Sequence, residues 1–100
     1  MNTGTVLPYW VHDEQLLDAF IKGCKKNKSI AKIAEAMEMN SYSLTGSIKY
    51  IRDDYSDQNY TPEQYQVAEK LLLLWDTAFI ATDSKSDLEI IAEKLDEALK

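Results

Sequence analysis

Few side chains in this sequence could perform chemistry, and they are scattered. His12 is the lone histidine and Cys24 the lone cysteine. Any Ser–His–acid triad would have to use His12 as its histidine. No spacing of His, Cys or acidic residues is typical of a zinc or calcium site. The glycines at 4, 23 and 46 form no phosphate-binding loop. We therefore expect a protein that is not an enzyme and needs neither metal nor cofactor.

Binding chemistry is better represented, in the segment 29–52. It has the pattern of a short helix, a polar turn and a second helix, as in a helix-turn-helix, whose second helix can lie in the DNA major groove. Its Asn, Ser, Thr, Lys and Arg side chains can bond base edges and phosphates. Lys25, Lys26 and Lys28 precede it and could clamp the DNA backbone, and a solvated loop is the alternative for this cluster. A solvated helix face uses the same residue types, so both interpretations stay open.

Charge is unevenly placed along the 100 residues, whose net charge is −6. Residues 1–53 hold seven Lys or Arg against six Asp or Glu, and residues 54–100 hold four against eleven. A polyanion should therefore meet the first half, because the second half would repel it.

Composition predicts one all-α domain over residues 1–100. The chain is 45% apolar, which suffices for a core, and its three Gly and two Pro are too few for a turn-rich β fold. The lone cysteine, expected to be a buried or half-buried thiol, and the lack of a signal-peptide pattern favour the cytoplasm. The longest apolar run covers five residues, far short of the ~20 that a membrane span requires.

Periodicity and capping residues predict three helices in the first half. The predicted elements are an extended arm over 1–9, a helix over 12–22, a second helix from 30, a turn over 39–43 and a third helix over 43–52. Gly23 is expected to end the first helix, and Ser29 to cap the second. Asn40 is suited to a left-handed position in the turn. Residues 10–52 would thus form a three-helix, helix-turn-helix-like unit.

The second half is predicted to form an acidic linker over 53–60 and a helical hairpin over 61–100. Thr61 and Gln64 have the spacing of a capping box, with Pro62 at the first helical position. That helix is expected to run to about residue 79. Ser86 and Glu89 form a second capping-box pattern before the last helix, which makes about five helices in all.

Two features of the second half are candidates for contact with a protein. The apolar run over 71–75, represented by Leu71, Leu74 and Trp75, suits a homodimer contact, and burial in the core explains it equally well. Acidic residues cover one face of the last helix, with Glu89, Glu93 and Asp96 as the candidates. A solvated surface is the simpler explanation of that face. Of the tyrosines, Tyr42 is expected at the surface, and Tyr50, Tyr55 and Tyr65 in the core or its rim.

The pattern over residues 10–52 resembles Myb/SANT-like and related helix-turn-helix modules. Trp10, followed by Asp13 and Glu14 and an apolar helix, is typical of their start, and Ile33-Ala34 of their second helix. The resemblance implies that the third helix contacts double-stranded DNA. The positions that it places in the groove are Asn40, Ser41, Tyr42, Ser43, Thr45, Lys49 and Arg52. The chain departs from the family in having Glu38-Met39 at the turn glycine and just two cations on that helix.

The first functional hypothesis is therefore a small, non-enzymatic DNA-binding transcriptional regulator, which a homodimer would assist. The alternative is an acidic module that binds or inhibits a protein partner, as phage-borne or nucleic-acid-mimicking inhibitors do.

Overall fold

The computed structural model describes residues 6–80 and 87–99. A short 3-10 helix, Tyr9–His12, precedes five α-helices in these residues. The α-helices are α1 Glu14–Lys25, α2 Ile30–Ala36, α3 Ser41–Ser56, α4 Pro62–Phe79 and α5 Leu88–Leu99. The predicted all-α class with about five helices is confirmed.

Of the predicted extended arm over 1–9, residues 6–8 are described and have no regular structure, and the 3-10 helix Tyr9–His12 follows them. Trp10 and Val11 are buried in the 3-10 helix, which brings them onto the core. Helix α1 begins at Glu14, because Asp13 caps it: the Asp13 Oδ1 atom accepts hydrogen bonds from the backbone N–H groups of Gln15 (3.0 Å) and Leu16 (3.1 Å). His12 is exposed and lies before α1, not inside it.

The prediction that Gly23 ends α1 is wrong. The glycine lies inside the helix, which continues to Lys25, and Asn27 takes the left-handed position beyond it with a φ of 57°. A Cβ atom on Gly23 would lie 2.5 Å from Cγ1 of Ile33 in α2. The glycine is therefore required by the close approach of α1 and α2.

The helix-turn-helix pattern is present, with a different turn. The Ser29 Oγ atom caps α2 as predicted, by accepting a hydrogen bond from the backbone N–H of Lys32 at 3.2 Å. Glu38, not Asn40, is left-handed, with a φ of 62°. Asn40 instead caps α3, and its Oδ1 accepts a hydrogen bond from the backbone N–H of Ser43 at 2.7 Å. Because of this cap, α3 begins two residues before the predicted start at residue 43. The helix ends at Ser56, inside the predicted linker.

Helix α4 begins as its sequence predicts. The Thr61 Oγ1 atom accepts a hydrogen bond from the Gln64 backbone N–H (3.2 Å), and the Gln64 Oε1 atom accepts one from the Thr61 backbone N–H (2.9 Å). The reciprocal pair is a capping box with Pro62 in the first turn. The second predicted capping box depends on Ser86, which lies outside the described residues.

Helix α4 is the centre of the packing, with α1, α3 and α5 against it. Its Trp75 ring lies parallel to the Phe20 ring of α1, with ring centroids 6.1 Å apart. The Phe20 ring in turn packs on Trp10, with ring centroids 5.0 Å apart. Helix α2 packs on α1 and α3. As a result α3 is covered on the side of α2 and α4, and its opposite side faces solvent.

None of the helices in residues 6–80 and 87–99 has the length and apolarity to cross a membrane.

Candidate binding face on α3

The outward side of α3 is fixed by the apolar residues on its inward side. Leu44, Ile48 and Ile51 recur every three or four residues and are all buried. Residues on the side of α3 opposite this stripe point outward. They line one shallow groove along the helix, which we call the α3 face: Tyr42, Thr45, Gly46, Lys49, Tyr50 and Asp53.

Two aromatic rings flank a glycine on the α3 face. Tyr42 is 87% exposed and Tyr50 is 73% exposed, and Gly46 lies midway between them, four residues from each. Residues four apart are neighbours on a helix surface. A Cβ atom on Gly46 would meet nothing within 4 Å. The face thus presents two rings with an open notch between them.

The N-terminal segment continues this aromatic surface. Tyr50 also lines a second groove, together with Val6, Pro8 and Tyr9. Tyr9 and Val6 are both exposed. The two grooves meet at Tyr50, so the apolar surface extends beyond α3 itself.

The α3 face has no excess of positive charge. Lys49 and Asp53 are both exposed, and they lie one helical turn apart. The hydroxyl of Thr45 donates to the backbone carbonyls of Ser41 (3.0 Å) and Tyr42 (3.1 Å), so its proton is engaged within the helix. A phosphate would find Lys49 as the one cation of this groove.

Arg52 was predicted to contact DNA, and it contacts α4 instead. Its Nη2 atom lies 2.6 Å from Oδ1 of Asp76, and its Nη1 atom lies 3.2 Å from Oδ2. The hydrogen bonds to Asp76 raise the pKa of Arg52. This two-point pair holds the guanidinium against the neighbouring helix, so Arg52 is not a free cation on the outward side of α3.

The predicted lysines also lie apart from the α3 face. Lys25 Nζ is 3.2 Å from Oε2 of Glu89 in α5. Lys26 and Lys28 are exposed and line a groove between α1 and α2. The structure therefore does not bring these lysines into one surface with Tyr42 and Lys49.

The N-terminal end of α3 has an acidic neighbour. Asn40 and Ser41 line a shallow surface depression with Glu35 and Glu38 of the preceding helix and turn. The side-chain oxygen of Asn40 is engaged in the cap, where it accepts a hydrogen bond from the Ser43 backbone N–H. Ser43 itself is exposed. The predicted DNA-contacting residues at this end thus lie beside carboxylates, which repel phosphate.

The two candidate contact surfaces of the second half differ in their exposure to solvent. Leu71 and Leu74 are fully buried and Trp75 is nearly so, because α4 has helices on three sides. The prediction that they form a contact surface is therefore wrong, and the core explanation holds. The acidic residues of α5, Glu89, Glu93 and Asp96, are exposed as predicted.

Tyr50 is the residue that sequence reasoning missed, since it was expected in the core or its rim. The available signal was its register: Tyr42, Gly46 and Tyr50 repeat every four residues, out of phase with Leu44, Ile48 and Ile51. Tyr55 and Tyr65 do meet at the core's edge, with ring centroids 5.3 Å apart.

Reactive groups are not gathered in the part of the chain that is described. Within residues 6–80 and 87–99, no three His, Cys, Asp or Glu side chains are placed to hold a metal ion. Cys24 is buried, and burial raises the pKa of its thiol to about 12. A thiol in this state is a poor nucleophile at neutral pH.

Comparison of the chain with protein-family models, curated proteins and solved structures found no match. The resemblance to Myb/SANT-like modules therefore stays a prediction.

Proposed function

We propose that this protein is a non-enzymatic binding module that recognises a protein partner through the α3 face. The observation that carries the proposal is the pair of exposed rings, Tyr42 and Tyr50, on either side of Gly46. Tyrosine is enriched at protein interfaces because its ring is apolar and its hydroxyl can still bond. An open notch between two rings is a shape into which a partner's side chain can insert.

The charge of the α3 face also favours a protein as its ligand. Lys49 and Asp53 balance each other, so the face does not oppose an approaching protein surface of either sign. The groove shared by Tyr9, Val6 and Tyr50 adds further apolar contact area. Together these features supply what the core of an interface needs: aromatic anchors with few charges.

DNA binding through the same helix is the second candidate. It is supported by the helix-turn-helix arrangement of α2 and α3 and by the outward exposure of Ser43 and Lys49. It ranks second because duplex affinity depends on phosphate neutralisation by cations. Asp53 lies beside Lys49, and Arg52 is paired with Asp76.

A capture experiment with three variants separates the two candidates. The immobilised chain is incubated with nuclease-treated extract of the organism that encodes it, as wild type, as Tyr42→Ala plus Tyr50→Ala, and as Lys49→Glu. The control is Glu93→Lys plus Asp96→Lys on α5. We expect a protein that is still captured after nuclease treatment. The α5 variant should retain it, and the tyrosine variant should lose it. Mobility-shift assays with duplex DNA run in parallel.

Two outcomes would contradict the proposal. One is a captured protein whose retention is unaffected by the tyrosine variant and abolished by the α5 variant, which would assign binding to the acidic face. The other is a salt-sensitive shift of duplex DNA that Lys49→Glu abolishes, with no protein captured after nuclease treatment. That result would establish the DNA candidate instead.

A further inference from the structure

We propose that the groove between α1 and α2 binds a compact polyphosphate group, at a site separate from the α3 face. Four lysines line this groove: Lys22 in the last turn of α1, Lys26 at the C-cap of α1, Lys28 in the connecting loop, and Lys32 in the first turn of α2. We call these four residues the lysine groove. They are four of the eleven cationic residues in a chain of net charge −6.

The floor of the lysine groove explains why its walls converge. Gly23 lies in the lining, and its missing side chain lets α2 approach so closely that a Cβ atom would lie 2.5 Å from Cγ1 of Ile33. The four lysines therefore surround a common space. Each stem can place its ammonium group toward that space, since all four lysines are exposed.

The charge of the groove is largely uncompensated. Lys22 Nζ lies 2.9 Å from Oδ2 of Asp18, which also lines the groove. Among the described residues, Lys26, Lys28 and Lys32 have no carboxylate within ion-pair distance. Like charges gathered around one space repel each other and oppose folding. A bound anion removes that repulsion, so the arrangement favours an anionic ligand.

Size and chemistry define the anion. The groove has a volume of about 270 Å³, slightly below the ~300–1,000 Å³ of drug-sized ligand sites. Ammonium groups bind phosphate as point charges. Three uncompensated lysines match an anion with three or more charges, such as a triphosphate chain. The lining has no aromatic side chain that could stack on a base, so the phosphate chain itself is the recognised group.

A duplex backbone fits this site less well than a small polyphosphate. The exposed residues of α2 include Glu35, and Glu38 follows the helix; both line the depression beside Asn40. A long polyanion lying across α2 toward α3 would meet these carboxylates, whereas a small anion within the groove would not.

Titration calorimetry with sodium tripolyphosphate at low ionic strength tests the proposal. The test variant is Lys26→Gln plus Lys32→Gln, which removes one cation at the end of α1 and one in the first turn of α2. The matched control is Lys49→Gln plus Lys94→Gln, which makes the same change in net charge at two exposed lysines elsewhere. We expect the dissociation constant to rise at least about tenfold in the test variant and less than about twofold in the control, since each removed contact is charge-assisted.

Further arms identify the source of the phosphate and separate the two proposals. Adenosine triphosphate should bind within about threefold of tripolyphosphate, because both supply the same chain and charge. The Tyr42→Ala plus Tyr50→Ala variant should bind tripolyphosphate as the wild type does, whether or not the α3 face docks a protein. Far-ultraviolet circular dichroism confirms that each variant is folded.

Four results would overturn the assignment. Absence of measurable binding by the wild type would do so, as would an equal loss in the test and control variants, which would indicate general attraction to positive charge. A duplex that binds in a Lys26- and Lys32-dependent way while tripolyphosphate does not would assign the groove to nucleic acid. A tenfold preference for adenosine triphosphate would show recognition of the nucleoside.

Discussion

The α3 face and the apolar run of α4 over 71–75 are opposites in sequence and in structure. The run in α4 is continuously apolar, and all its residues except Leu73 are buried. The α3 face is mixed in sequence, and it presents the two tyrosines to solvent. The stretch with the most apolar residues therefore lies in the core. The exposed aromatic surface lies on the less apolar helix.

The number of neighbouring helices accounts for this difference. Helix α4 is contacted by α1, α3 and α5, so a wide apolar stripe is needed there, and its remaining side carries exposed polar residues such as Gln66 and Glu69. Among the described helices, α3 is contacted by α2 and α4 alone, so one stripe of Leu44, Ile48 and Ile51 satisfies its packing. Its exposed tyrosines are thus not needed for the core, which leaves them available for the proposed binding role.

The largest expected effect distinguishes two leucines of α4 that lie two residues apart. Leu71 is fully buried, and Leu73 is 45% exposed. Truncating a buried leucine to alanine removes apolar contacts and leaves a cavity, so Leu71→Ala should lower the free energy of unfolding by about 2–5 kcal/mol. Leu73→Ala should lower it by less than about 1 kcal/mol, as is usual for partly exposed positions. Urea unfolding followed by circular dichroism measures both.

Equal effects of the two leucine variants would contradict this assignment of inside and outside on α4. A larger effect for Leu73→Ala, together with protein-concentration-dependent stability of the wild type, would point to a subunit contact through this helix.

Gly23 and Gly46 give the next largest contrast, because the same substitution should act with opposite sign. Gly23→Ala places a methyl group against Ile33, and such overpacking should destabilise the fold by about 1–3 kcal/mol. Gly46→Ala places one in open space, where the better helix propensity of alanine should stabilise the fold by about 0.5–1 kcal/mol. Thermal unfolding of both variants tests the pair.

The same Gly46→Ala variant also tests the notch on the α3 face. Under the proposed function it should weaken partner capture although it stabilises the fold. A variant that is both more stable and fully competent in binding would leave the two rings as the contact and exclude the notch.

Much of the fold could be predicted from local signals. Ser29 and the Thr61–Gln64 capping box fixed helix starts, because a cap involves residues only three apart. The candidate site depended on non-local contacts that a pattern does not encode. The exposure of Tyr50 depends on how α3 is rotated against α2 and α4, and the pairing of Arg52 depends on a carboxylate 24 positions away.

The Arg52–Asp76 pair links the two helices compared above, and its expected effect is the smallest. Both side chains are partly exposed, so Arg52→Ala should lower the free energy of unfolding by less than about 1 kcal/mol despite the two-point geometry. A double-mutant cycle with Asp76→Ala should give a coupling energy of about 0.2–1 kcal/mol that shrinks at about 1 M salt, where screening is strong. Zero coupling at low salt would mean that Asp76 does not stabilise Arg52 in this position. The guanidinium would then be available to phosphate beside Lys49, which would strengthen the DNA candidate at the expense of the protein partner.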